Sequence, residues 1–211
     1  MTSLLQGVRP IAERACAEVR DVSTVDGATL RTFRYGNDQT LPTIVLVHGW
    51  GADHTIWEHI IESLCGEGLN VVALDQRAHG ASTAGRNRQA IDQLGYDLAA
   101  VLYELKLTKV IFVGHSGGGY AVQSFLRQHE LRTAFDIVGA VLVGTASHGQ
   151  AVPVPERILM GSRFFQVALG SKRLGAKALR HTLGPTFEDA SLEVVRRLFT
   201  ATDRRARRAS I

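Results

Sequence analysis

Cysteine is scarce in this 211-residue chain. Cys16 and Cys65 are the only two, far apart and outside any metal-ligand spacing, so neither a disulfide framework nor a zinc site is indicated. A reducing cytoplasm is therefore the expected location. Long apolar runs are missing too. Arg9, Glu13, Arg14 and Glu18 interrupt the first positions, which leaves no signal-peptide core, and no later run approaches the ~18 residues a membrane span needs. There are no internal repeats and no low-complexity segments, which argues against a solenoid or a disordered chain.

Net charge is modest at +4 but unevenly placed. Residues 149–211 hold 12 of the 24 Lys and Arg and 5 of the 20 Asp and Glu, so this part is basic and the rest slightly acidic. It ends in Arg204-Arg205-Ala206-Arg207-Arg208. Such a tail can attract nucleic acid or anionic membrane, but it has no interleaved aromatics and no recognition fold. It reads as a solvated helix end, and no nucleic-acid partner is expected.

What the chain does have is 45% apolar residues, enough for one sizeable core. Val19 to Val25 and Thr29 to Tyr35 alternate partly and flank Asp26-Gly27, a strong hairpin signal. Short continuous apolar runs follow at Thr43 to Val47, Val71 to Leu74, Val110 to Val113 and Ile137 to Val143, as in strands buried on both faces. Between them, helical periodicity covers Ile56 to Leu64, Ile91 to Leu105 and Gly118 to His129. Alternating strands and helices predict an α/β fold with a mainly parallel sheet of about six strands covered by helices. After Ser147 only helical patterning remains, with apolar positions that include Phe164, Phe165, Leu192, Val195, Leu198 and Phe199. The expected division is a core over 1–148 and a helical cap or lid over 149–211.

The apolar run ending at Val113 leads into Gly114-His115-Ser116-Gly117-Gly118. A serine hydroxyl is nearly inert at neutral pH unless it is lifted clear of the backbone beside a base and amide donors. A sharp strand-to-helix turn does the lifting, and its crowding demands tiny residues two before and two after the serine, as Gly114 and Gly118 are. Ser116 is thus the candidate nucleophile. Upstream, the run to Val47 enters His48-Gly49-Trp50-Gly51. Glycines at a strand's C-terminal end let backbone amides turn toward the sheet's mouth, where ligands bind in open α/β folds. The Trp50 and Gly117 amides are the candidate oxyanion donors. No metal, nucleotide or other cofactor is called for.

Three motifs together, His48-Gly49-Trp50-Gly51, Leu74-Asp75-Gln76-Arg77-Ala78-His79-Gly80-Ala81-Ser82 and Gly114-His115-Ser116-Gly117-Gly118, resemble the α/β-hydrolase fold family. Within it the chain looks most like the bacterial esterase, lipase and cofactor-free haloperoxidase group. The resemblance implies that His48 supports the oxyanion loop, that His79 shapes the loop after the fourth strand, that His115 packs beside the nucleophile and that Asp75 braces backbone. The family's middle motif commonly carries glycine where this chain has Ala78, and a methyl group there is expected to shift the turn slightly.

The family's catalytic acid follows the sixth or seventh strand and its histidine the eighth. Here the histidines beyond Ser116 are His129, His148 and His181, and the segment after the sixth strand reads Gly144-Thr145-Ala146-Ser147-His148 with no acid. The acid and base are therefore not found, His148 is the one substitute base the sequence offers, and the chain is expected to lack the C-terminal strands of its relatives. Without them the run Ile137 to Val143 becomes a bare edge, an invitation to self-association. The expected function is a serine hydrolase acting on small carboxylic esters with an apolar group, weakly active or inactive. The alternatives are a perhydrolase or haloperoxidase of the same fold and a non-catalytic remnant or binding protein.

Overall fold

A computed structural model describes residues 18–87, 90–146, 162, 167–168, 171, 174–175, 177 and 189–202. Strands β1 (Glu18–Ser23) and β2 (Thr29–Tyr35) form the expected hairpin, with Ser23 opposite Thr29. Its turn closes through Thr24 N–H to Ala28 O at 2.8 Å, with Gly27 at φ +83°. Then come β3 (Thr43–Val47), α1 (Glu58–Gly66), β4 (Asn70–Leu74), α2 (Ile91–Glu104), β5 (Lys109–His115), α3 (Gly117–Arg127), α4 (His129–Thr133), β6 (Asp136–Val143) and α5 (Asp189–Ala201).

The six strands form one sheet in the order β1-β2-β4-β3-β5-β6. Pairing is parallel from β4 through β6, and β2 joins β4 antiparallel. The parallel strands alternate inward faces, so neighbouring residues serve different cores. Val45 and Val47 pack with Leu98, Leu102, Phe112, Val122 and Phe125 beneath α2 and α3. Leu46 packs with Phe33, Trp57, Ile61 and Val71 beneath α1. Because β3 lies between β4 and β5, its connection leads away on one side of the sheet and the β4–β5 connection returns across it. The C-terminal ends of β3 and β5 thus meet at the crevice where ligands bind in open α/β sheets.

Two elements differ from the sequence reading. The stretch from His54 to Trp57 is a 3₁₀ turn, opened by Asp53, whose carboxylate accepts the Thr55 N–H at 2.9 Å. The helix expected to run to His129 ends at Arg127. Gln128 is extended and its side-chain amide donates to Asp92 O at 3.2 Å, tying it to α2, so His129 begins a separate short helix.

Strand β6 lies at the edge among the described residues. Val138, Val141, Leu142 and Val143 are each about half exposed, at 45–52%, so the strand is not buried on both faces as its apolar run suggested. Of the cap-like region, α5 is described. Its Leu198 is buried, and Arg197 donates to Thr55 Oγ1 at 3.2 Å, which sets the helix against the 3₁₀ turn. Among the described residues no helix is long and apolar enough to cross a membrane. His148 and His181, with Phe164 and Phe165, lie outside the described residues.

One buried polar cluster centres on Arg77, a residue of the middle motif to which the sequence assigns no role. Arg77, fully buried, makes a two-pronged contact with Asp97 of α2, Nε to Oδ2 and Nη2 to Oδ1 both at 2.5 Å. It also donates to Asp26 of the hairpin turn at 3.0 and 3.3 Å. Arg77 and a hydrogen bond from Thr24 hold the Asp26 carboxyl well below the usual carboxylate range against the opposing effect of burial. Removing one member of a buried charge set leaves the others uncompensated, which costs about 3–5 kcal/mol. Arg77→Met is expected to lower unfolding free energy by about that amount in urea titration, with a smaller loss for Asp26→Asn.

Candidate active site

Ser116 sits between β5 and α3 at φ +49°, ψ −114°. A side-chain-bearing residue rarely adopts such a backbone, and it persists only where the surroundings enforce it. Its N–H is tied to Val143 O of β6 at 2.8 Å, and its own carbonyl accepts the Gly119 N–H at 2.9 Å and the Thr145 hydroxyl at 3.2 Å. The crowding is as anticipated. A methyl at Gly118 would lie 2.1 Å from Val47 O, and one at Gly114 would lie 2.7 Å from Gly119 Cα. Ser116 is partly exposed, outside the core.

The loop after β3 packs directly on this elbow. A side-chain carbon on Gly49 would be 3.2 Å from Ser116 Cβ, and one on Gly117 would be 2.9 Å from the Trp50 nitrogen. The structure therefore brings Gly49, Trp50, Gly117 and Ser116 together. Gly51 follows at φ +72°.

His48 is fully buried. Its Nε2 accepts the Gln76 N–H at 2.9 Å, so Nδ1 carries the proton and donates to Gly49 O at 2.7 Å. His79 has the same tautomer, with Nε2 accepting the Gly51 N–H at 3.1 Å and Nδ1 donating to Arg77 O at 2.9 Å. Burial pushes both imidazoles below their ordinary pKa, His79 to about 4. Both are neutral braces of the loop. His115 is half-buried, its ring set edge-on to Trp57 at 6.5 Å between centroids, and among the described residues its Nδ1 has no hydrogen-bond partner.

Asp75, at the end of β4, accepts from the His54 N–H, His54 Nδ1 and the Ala81 N–H, each at 2.8 Å. Burial opposes its ionisation, but the His54 contact and the Ala81 amide hold the carboxyl below the usual range. It braces backbone, as the motif implied. His54 itself, stacked on Phe33 with centroids 3.6 Å apart, was missed in sequence because it belongs to no motif. Ala78 stands at φ +61°, a left-handed conformation that costs an L-residue roughly 1–2 kcal/mol.

Among the described residues, no side chain hydrogen-bonds Ser116 Oγ and no group of three His, Cys, Asp or Glu could hold a metal. Chemically, the site offers a serine on a strained elbow, a neighbouring loop rich in backbone amides, and two imidazoles committed to holding that loop.

The family model for the alpha/beta hydrolase fold matches residues 42–208. The chain belongs to the α/β-hydrolase fold family. It is 34% identical over 138 residues to a non-heme haloperoxidase of Rhodococcus erythropolis, an alignment covering 63% of this chain and 49% of that protein. It is 36% identical over 99 residues to epoxide hydrolase B of Mycobacterium tuberculosis, covering 46% and 28% respectively. Among solved structures it resembles the esterase EaEST of Exiguobacterium antarcticum, with TM-score 0.73 and 19% identity over 92% of this chain and 72% of that one, a likeness of fold. The chain spans about half the length, or less, of the curated relatives it matches.

The neutral histidines make the fold sensitive to acid. An unfolded chain takes up protons near the ordinary histidine value of 6.5, whereas His79 in the native state does so only near pH 4. The His79 contribution to stability is therefore complete above about pH 6.5 and is lost as pH falls toward about 4, and that of His48 is lost in the same direction. Melting temperature is expected to drop between about pH 7 and 4.5, and His79→Gln is expected to shrink that drop while leaving the part due to His48.

Proposed function

We propose that the protein is a serine hydrolase that cleaves small carboxylic esters through an acyl-enzyme at Ser116. The observation that carries this reading is the elbow itself: Ser116 at φ +49° with the Gly49-Trp50 loop packed on it. In the reaction, Ser116 Oγ bonds to the ester carbonyl carbon and passes its proton to a base, and the alcohol leaves with a proton. Water then attacks the acyl group, which departs as the carboxylic acid and restores the serine. Trp50 and Gly117 N–H are assigned to the oxyanion, a type of contact whose loss typically costs about 2.7–4 kcal/mol.

The base is assigned to His148. The segment before it is tied near the elbow by the Thr145 hydroxyl on Ser116 O, and Ala146 O accepts from Gln123 Nε2 of α3 at 3.1 Å. Oxyanion binding and positioning alone retain roughly 10³–10⁴ over water, and the remainder of the rate falls to the base. Residues 149–211 act as a cap, with an apolar acyl or alcohol group beneath it. The likeness to a non-heme haloperoxidase supports a second reading, in which peroxide replaces water as the attacking nucleophile. The apolar edge of β6 is assigned to self-association.

Incubation with a fluorophosphonate probe is expected to label the wild-type chain at Ser116. Ser116→Ala is expected to abolish labelling and His148→Ala to slow it by roughly 10³-fold or more. Undiminished labelling of His148→Ala would place the base elsewhere, and an unlabelled wild type would favour a non-catalytic role. Acetate with peroxide separates perhydrolysis from hydrolysis through the appearance of peracid.

A further inference from the structure

The loop that carries Trp50 is aimed by its own His48 and by groups on the loop after β4. A trans peptide is a rigid plane whose C=O and N–H point in opposite directions. Gly49 O and Trp50 N–H share one such plane, and His48 Nδ1–H holds its carbonyl side at 2.7 Å. The next plane, between Trp50 and Gly51, presents its N–H to His79 Nε2 at 3.1 Å. Two successive planes are therefore fixed from opposite ends, which leaves the Trp50 backbone little freedom to rotate.

His79 is itself fixed. Its Nδ1–H rests on Arg77 O at 2.9 Å, and the Arg77 side chain is locked between Asp97 and Asp26. The adjacent Gln76 adds its N–H to His48 Nε2 and its side-chain amide to His48 O at 2.5 Å. His48 and His79 meet ring edge to face at 5.3 Å. A continuous buried path thus runs from the hairpin turn and α2 through Arg77 and His79 to the peptide beside Ser116.

We propose that His79 is a positioning residue, which through its bond to Gly51 N–H fixes the peptide plane after Trp50 and so limits rotation of the Trp50 amide, whose own plane His48 holds. The proposal rests on the reading of Ser116 and Trp50 as nucleophile and oxyanion donor. An amide must be aimed at the position where charge develops, and a displacement of about 1 Å can cost on the order of 10²-fold in rate.

Two substitutions separate this role from mere packing. In His79→Gln the amide oxygen can still accept from Gly51 N–H, while the bond to Arg77 O is lost. In His79→Asn the amide nitrogen can still donate to Arg77 O, but the shorter side chain does not reach Gly51. His79→Asn is expected to lower kcat for a chromogenic short-chain ester by roughly 10²-fold at nearly constant KM, and His79→Gln to recover most of that loss. Equal kcat in the two variants, or a loss carried by KM, overturns the proposal. Hydrogen exchange at the Gly51 amide tests the same tie without turnover, with exchange at least about tenfold faster in His79→Asn and close to wild type in His79→Gln. If the wild type neither turns over ester nor reacts with the fluorophosphonate, the hydrolase reading fails while Gly51 exchange still decides the positioning role. Identical exchange in both variants sinks it. Should His79→Asn not fold, His79→Ser takes its place in both measurements.

Discussion

The strained backbone at Ser116 is the constraint on which the rest of the site depends. A left-handed residue with a side chain relaxes unless several independent contacts forbid it. Here β6 supplies the acceptor for its N–H, Gly118 lets the following helix approach Val47 O, and Thr145 covers its carbonyl. Of these, only Gly118 belongs to the serine's own turn. The elbow is an agreement among β3, β5, β6 and α3, which explains how a partly exposed serine holds a strained backbone at the end of the sheet.

A second layer of the same logic holds the loop after β3. Its backbone groups cannot form ladder hydrogen bonds, so they need side-chain partners, and buried polar groups left unmatched are costly. Two imidazoles and Gln76 serve as those partners. Burial keeps both histidines neutral, which is what lets each one accept at one nitrogen and donate at the other. A charged imidazole has two donors and no acceptor, and could not make the same pair of bonds.

Much of this was legible in the chain. The hairpin at Asp26-Gly27, the four parallel strands and the serine turn were visible because each rests on local chemistry: a left-handed turn, a continuous apolar run, small residues at fixed offsets. Arg77 was not, because its meaning lies in Asp26 and Asp97, which approach it only through the fold. His54 likewise acquires significance from Asp75 across a strand gap. The break at Gln128 was hidden because its cause is a tertiary bond to Asp92 rather than any helix-stopping residue.

The Arg77 cluster carries a consequence for the order in which the chain assembles. Its partners lie 51 residues before and 20 residues after it, so the guanidinium can leave water only once both segments have arrived. With only one of them in place, part of the guanidinium would lack its partner in the interior. The cluster therefore ties the hairpin turn to α2, two segments far apart in the chain that share one buried charge set.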